Sequence, residues 1–354
     1  MNAKFLVSTL FMTVLTVTGL ITILRAPVNV QATYTEILNG TASKRIEDQL
    51  LAAIPYKQVV TDYWARFLFT VFNEGKAGVV IGEDGWLYSN EEFQWPNDSE
   101  RNIVTNSQFV QNVVSRLKAD NIEVVIILVP EKIAVYPEYI QQPSAHTTHQ
   151  LHQRVLQKLQ ADELIFVDPL PHLLAAKINS PQEMFLRTDT HWTPAGAQVV
   201  AQHVAAELTH LQGSQKYSSS RAELTPYTGD LLTFIPADGN WLRKHIPLDQ
   251  IPEVSSSLES DDFSDLFATP EPVFAALVGT SYSANATWNF HGYLQQAMAI
   301  EILNYANEGQ GPFTPMQALL TDNELQSQAI TTVFWEIPIR YFVQAPVDSS
   351  VKEN

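Results

Sequence analysis

Three side chains in this sequence have the chemistry to make an activated hydroxyl between them. Asp189 and His191 stand two residues apart in the stretch Met184–Ala197 (MFLRTDTHWTPAGA), with Arg187 and Trp192 beside them. A carboxylate next to an imidazole does little alone. With a hydroxyl in reach, the carboxylate orients the ring and the ring takes the hydroxyl proton. Ser281 can supply that hydroxyl from Val278-Gly279-Thr280-Ser281-Tyr282-Ser283, which follows an apolar run and precedes a helical one. A serine in that position sits at a strand end, where backbone N–H groups of the next helix can hold an oxyanion. The stretch lacks G-x-S-x-G spacing, so it is not an ordinary α/β-hydrolase elbow. A helix N-cap serine fits the same context, and Ser283 is the rival nucleophile and the better cap.

Other chemistry is thinner. His191 and Asp189 have metal-ligand types, but no third ligand is close in sequence. Of His146, His149 and His152, the spacing puts His149 and His152 on one helix face, which suits zinc, but within a Thr- and Gln-rich segment that reads as exposed. No metal and no cofactor is expected. The chain has no cysteine, which excludes thiolate metal sites, disulfides and cysteine nucleophiles. Its formal charge of −17 over 354 residues argues against nucleic-acid binding, which needs a basic footprint.

These residues need a frame, and the apolar patterning supplies one. Ile122–Val129 (IEVVIILV) is a continuous apolar run of the kind buried on both faces of a parallel sheet. Leu164–Val167, Phe274–Val278, Glu301–Tyr305 and Thr331–Trp335 read as further strands. Amphipathic helices are expected over Ile103–Ala119, His149–Gln160, Pro169–Lys177, Pro194–Leu211, Asn285–Met298 and Pro315–Leu320. Thr193 is the expected N-cap of the helix that Pro194 opens. Strand and helix alternate, so the fold class is α/β with a mostly parallel sheet. Val79–Gly82 and Trp86–Tyr88 around Glu83-Asp84-Gly85 read as a hairpin.

At the N-terminus an uncharged run, Phe5–Leu24, lies between Lys4 and Arg25. Its length spans a bilayer and favours a retained anchor over a signal cleaved near Val30-Gln31-Ala32. Either way the rest of the chain is exported. The expected organisation is an anchor over 1–25, a polar linker over 26–42, one catalytic domain over 43–346 and a tail over 347–354. A helical pattern from Ser43 to Val71 opens that domain, with Pro55 expected to kink it. Residues 212–271, rich in Ser, Pro and acids, read as an insertion of long loops without a core of its own.

Six segments recur together in a known family: GEDGWLY (82–88), LVPEK (128–132), TDTHWTPAGA (188–197), LVGTSYS (277–283), NYANEGQG (304–311) and WEIPIRY (335–341). In this order they resemble the AlgJ/AlgX family of alginate O-acetyltransferases, of the SGNH-hydrolase-like superfamily. The resemblance runs from about Gly78 to Tyr341, leaving out the acidic insertion. It implies a flavodoxin-like, three-layer α/β/α sandwich in which Ser281 is the nucleophile, His191 the base and Asp189 the orienting carboxylate. The motif order is permuted against other SGNH enzymes. Gly309 or Gly311 falls where the oxyanion glycine would lie. No G-x-N-D block is present, so a third oxyanion donor is undetermined. Arg340, Trp192 and Tyr282 are further candidates for the acetyl or sugar site.

The resemblance further implies a periplasmic setting, a secreted-polysaccharide acceptor and a membrane-bound O-acyltransferase partner on the donor side. With an N-terminal anchor and no stretch that reads as a carbohydrate-binding module, the chain is expected to be of the AlgJ type, held at the inner membrane by residues 5–24. Its acidic charge fits a polyanion poorly, so a neutral polysaccharide or an acetyl-relay role stands beside alginate. A polysaccharide acetylesterase and a non-catalytic glycan-binding scaffold are the alternatives to the transferase.

Overall fold

The computed structural model describes residues 3–26, 31–140, 145–259, 275–321, 325 and 330–346. By contact density the chain forms two units. One is Met1–Gly75 with Ile235–Leu242, the other Lys76–Phe234 with Arg243–Asn354.

The second unit is built on a five-stranded sheet. Its hairpin strands β1 (Val79–Ile81) and β2 (Leu87–Ser89) pair antiparallel, as the sequence predicts. The main sheet contains β3 (Glu123–Val129), β4 (Phe166–Val167), β7 (Ala275–Val278), β8 (Ile302–Asn304) and β9 (Thr332–Pro338). Their order is β4-β3-β9-β7-β8, and every pairing is parallel. β5 (Tyr217–Tyr227) and β6 (Asp249–Leu258) form a separate antiparallel ribbon.

The period of two along the strands divides the core into two layers. Val124, Ile126, Leu128, Ala276, Val278, Val333 and Trp335 pack under the helices Ser99–Ala119, Ala145–Ala161 and Phe313–Thr321. Val125, Ile127, Val129, Ala275, Leu277 and Phe334 pack against Leu170–Asn179, Pro194–Glu207 and Phe290–Met298. Both faces are covered, which is why β7, Val124–Val129 of β3 and Val333–Trp335 of β9 read as apolar runs. The layers are those of a flavodoxin-like sandwich. The chain order is permuted: β9, the last strand, occupies the centre, where flavodoxin order places the third.

Several boundaries differ from expectation. Residues 212–271 are not all loop: the ribbon β5–β6 lies there. β5 is exposed along most of its length, and β6 puts only Ile251 and Val254 into the core, so the apolar signal of the ribbon is weak. A serine ladder joins them instead, Ser219 to Ser256 at 2.7 Å and Ser220 to Ser255 at 2.8 Å. Residues 260–271 of that stretch, and the tail 347–354, lie outside the described residues. The helix expected over Asn285–Met298 is broken at Asn289, whose φ of 52° is left-handed, into a turn at Ala286–Trp288 and the helix Phe290–Met298. The helix from Pro194 stops at Glu207.

The first unit holds the helix Ala3–Arg25, one segment of which, Lys4–Arg25, is long and apolar enough to cross a membrane at a mean hydropathy of 2.0. Its hydroxyl residues do not break it. Ser8, Thr9, Thr13 and Thr16 each donate to the carbonyl four residues back, at 2.8–2.9 Å. The expected linker contains a short capped helix, Tyr34–Leu38. Pro55 ends a helix rather than kinking it: Thr41–Ala53 and Lys57–Phe67 are separate. These helices, expected at the start of the catalytic domain, group by contacts with the N-terminal unit.

Candidate active site

β7 ends at Val278, and the chain turns through Gly279-Thr280 into the short helix Ser281–Ala284. The turn is held from below by Glu336, a wholly buried carboxylate on the central strand β9. Glu336 accepts the Thr280 N–H at 2.7 Å, the Thr280 hydroxyl at 3.0 Å and the Ser283 hydroxyl at 3.1 Å. A Cβ on Gly279 would run into this carboxylate, so only glycine fits. Ser283 is thus buried and committed to Glu336, whereas Ser281 faces the other way and is partly exposed.

The acid and base come from a tight loop. Phe185 bridges Trp192, Leu186 N–H bonds the His191 carbonyl at 3.1 Å, and Thr193 N–H bonds the Met184 carbonyl at 3.0 Å. Thr193 caps the next helix through Gly196 N–H at 3.1 Å. The loop projects His191 so that Nε2 lies 2.7 Å from Ser281 Oγ and Nδ1 lies 2.7 Å from Asp189 Oδ1. The sequence-predicted serine, histidine and aspartate are therefore brought together. Trp288 stacks on the imidazole at 5.1 Å and gives its indole N–H to the Ser281 carbonyl at 3.2 Å.

Asp189 is almost wholly buried. Burial alone would push its carboxyl up. The bond to His191, the His191 charge, and the N–H groups of Asp230 and His191 more than offset this and hold it below the ordinary carboxylate range. An ionised Asp189 accepts from Nδ1, which leaves Nε2 free to accept the Ser281 proton. Its second oxygen, Oδ2, takes the Asp230 N–H at 2.9 Å and the Tyr227 hydroxyl at 3.2 Å.

The loop is fastened by residues that sequence reasoning missed. Lys132, wholly buried at the start of the short helix Lys132–Val135 that follows β3, donates to the Leu186 carbonyl at 3.0 Å and the Asp189 carbonyl at 2.7 Å. Burial pushes its ammonium down; Glu92 and Asp189 oppose this. Asp249 takes the N–H groups of Arg187 and Thr188 at 2.9 and 3.0 Å. Asp230 takes the Thr190 N–H and hydroxyl, both at 2.9 Å. Tyr227 and Asp249 are direct partners at the root of the ribbon. The stretch read as an insertion therefore frames the acid. Gly229 lets the backbone pass so close to the Thr188 carbonyl that a Cβ would collide with it.

Other candidates fall around this centre in unequal ways. Tyr282 is buried, gives its hydroxyl to the Thr190 carbonyl at 2.8 Å and leans on the His191 ring at 4.7 Å. Trp192 is buried against Tyr282 and Phe290, and its indole nitrogen has no hydrogen-bond partner among the described residues. Arg340 lies behind Tyr282, 5.9 Å from its ring, paired with Glu131 and Glu91 at 3.1 Å each. Its guanidinium is spoken for by carboxylates. Gly309 and Gly311 adopt left-handed φ values of 73° and 66°. Their loop is tied to the serine turn by the Asn307 N–H, 3.1 Å from the Gly279 carbonyl.

No third ligand is close to Asp189 and His191 in sequence, but the fold brings Asp230 beside them: the three offer ligand atoms within 4.8 Å of one another. Those carboxylates are turned to donors, Asp189 to N–H and hydroxyl groups and Asp230 to Thr190, and His191 is divided between Asp189 and Ser281. Burial first, then Asp189, pushes the Asp230 carboxyl up. His152 corrects an expectation. It is buried, 3.1 Å from Asp168, not on an exposed face. The side chains of His146 and His149 lie outside the described residues.

A parallel α/β/α sandwich with serine at a strand end and Asp-x-His on a neighbouring loop defines an SGNH-hydrolase-like domain. The sequence profile of one such family, the SGNH hydrolase-like domain of acetyltransferase AlgX, matches residues 79–339, and the chain belongs to that family. It is 38% identical over 324 residues to the probable alginate O-acetylase AlgJ of Pseudomonas fluorescens, covering 89% of this chain and 80% of the relative. The probable alginate O-acetylase AlgJ of Pseudomonas aeruginosa is also 38% identical, over 326 residues, 88% of this chain and 82% of the relative. The solved O-acetyltransferase domain of Pseudomonas putida AlgJ matches with a TM-score of 0.70 and 32% identity, over 78% of this chain and 96% of that one. The chain is accordingly an O-acetyltransferase.

Proposed function

We propose that this chain transfers acetyl groups to hydroxyls of an exported polysaccharide through an acetyl ester on Ser281, with His191 as base and Asp189 as its orienting anion. The observation that carries this reading is the unbroken line from Ser281 Oγ to His191 to Asp189, with 2.7 Å at each step. In the first half, Ser281 Oγ attacks the acetyl carbonyl and its proton passes to His191 Nε2. The tetrahedral oxyanion then collapses, the donor's leaving atom takes that proton, and acetyl-Ser281 remains. In the second half, His191 takes the proton of a sugar hydroxyl as its oxygen attacks the ester. Collapse frees the acetylated sugar and returns the proton to Ser281. Ionised Asp189 stabilises the imidazolium in both halves. Gly309 and Gly311 remain the candidates for an oxyanion contact.

The names of the relatives support alginate as the polymer whose acetylation this chain serves. A charge of −17 sets the chain against gripping a long polyanion unaided, which favours acetyl relay beside a polymer-binding partner. A membrane-bound O-acyltransferase is the proposed acetyl source. The N-terminal apolar helix is the proposed inner-membrane anchor, with the catalytic unit in the periplasm.

The test uses an aryl acetate, for which water stands in for the sugar. The purified chain hydrolyses it and gains the mass of one acetyl group during turnover, and Ser281→Ala loses both. An unchanged Ser281→Ala rate overturns the mechanism. Transfer to oligouronate or neutral oligosaccharide acceptors then distinguishes the polymer class, and hydrolysis with no transfer to any acceptor makes the chain an esterase.

A further inference from the structure

The helix Lys57–Phe67 and the turn Leu68–Phe72 that continues it are amphipathic in the wrong sense for a soluble protein. Their inward side carries Ala65, Asp62 and Arg66. Asp62 and Arg66 pair at 2.6 Å with side chains only 17% and 29% exposed. Asp62 also accepts the Asp238 N–H, and the Arg66 guanidinium lies 5.5 Å from the Trp241 ring. The outward side carries Tyr56, Val59, Val60, Tyr63, Trp64, Phe67 and Val71. Val60 is 56% exposed, Trp64 58% and Tyr63 65%. These positions recur at the three- and four-residue spacing of one helical face. Monomeric soluble proteins rarely leave such a contiguous apolar stripe open.

We infer that this face lies in the surface of a lipid bilayer, with its aromatic side chains at headgroup level. Three observations select lipid as the occupant. The stripe belongs to the same compact unit as the helix Ala3–Arg25. The Tyr56 hydroxyl, at the start of the outward face, bonds the Thr18 hydroxyl of that helix. Thr18 lies about 10 Å along the helix axis from Arg25 at 1.5 Å per residue, which matches the ~5–10 Å depth of an interfacial helix. The third is composition, since tyrosine and tryptophan amid valine and phenylalanine are the residues of membrane interfaces. Tyr34, Ile37 and Leu38 add a second exposed apolar group just after the apolar segment.

The inference rests on the anchor reading of residues 5–24, and the test separates the two. The chain has no cysteine, so a nitroxide can be placed singly at Leu15→Cys, Gln58→Cys, Val60→Cys and Trp64→Cys in the full chain. Each variant is reconstituted in phosphatidylethanolamine–phosphatidylglycerol vesicles, and relaxation by oxygen is compared with relaxation by a water-soluble nickel chelate. Oxygen dominates at 15, 60 and 64, and the ratio inverts at 58, on the opposite side of the helix. If 60 and 64 favour nickel while 15 favours oxygen, the anchor stands and the surface seat falls. If 60 and 64 are shielded from both reagents, protein covers the face, a partner or a second copy, and lipid is overturned. If 15 also favours nickel, both readings fail.

Discussion

Glu336 makes a quantitative prediction, because it combines a central place in the sheet with direct grip on the serine turn. Burial pushes its carboxyl up to about 7 against the bonds from Thr280 and Ser283 that favour ionisation. In the unfolded chain it titrates as an ordinary glutamate, near ~4.3. Between those values the folded protein holds a proton that the unfolded chain has released. Stability from this group is therefore fully present below its unfolded value and is lost as pH rises through about 7. The whole gap corresponds to about 4 kcal/mol, of which about 3 kcal/mol falls above pH 5. Glu336→Gln keeps the volume and an oxygen for the Thr280 N–H but cannot titrate. In denaturant melts across pH 5–8, roughly the window over which this group releases its proton, the unmodified protein should lose about 3 kcal/mol more than the variant. Glu92, pushed up to about 7 by burial and then by Glu131, titrates in both proteins and cancels in the difference. Equal slopes would refute the claim that Glu336 enters the fold as a neutral acid.

Three further outcomes follow from the site. Asp189→Asn should lower aryl-acetate kcat by about 10³–10⁴-fold, since the amide favours the wrong imidazole tautomer; a loss under tenfold would remove Asp189 from the mechanism. Lys132→Met strands the Leu186 and Asp189 carbonyls, at about 1–3 kcal/mol each, and should cut kcat more than it raises KM. Activity unchanged in a destabilised variant would show that Lys132 supports the fold but not the loop. Ser283→Ala should cost about 1 kcal/mol through the lost bond to Glu336 and leave turnover within a few-fold; abolished turnover would return Ser283 as the nucleophile.

The legible parts of this protein are those whose signal is local. A strand covered on both faces is apolar along most of its length, and β3, β7 and β9 could be read for that reason. Asp189 and His191 are neighbours in sequence, and their roles require the ring and carboxylate to meet within one loop. The residues that hold this loop are not local. Lys132, Tyr227, Asp230 and Asp249 reach it from just past the end of β3 and from a ribbon, and the turn after its first strand, that carry little apolar signal.

Two of the missed residues nevertheless carried a readable trace. Glu336 is a lone ionisable residue inside the buried strand TVFWEIP, and Lys132 comes one residue after IEVVIILVP, behind Glu131. An ionisable side chain at such a place is costly unless bonds meet it, so its position in an apolar run by itself implies a buried polar partner. For Glu336 the partner is the serine turn, and for Lys132 the acid–base loop. Glu336 lies on β9 and Lys132 three residues past the end of β3, and those two strands pair through seven residues in the sheet. The turn that carries the nucleophile and the loop that carries the base are thus fastened from two adjacent strands. That arrangement explains how Ser281 and His191, far apart in the chain, can sit within 2.7 Å, each element held by a buried ionisable side chain.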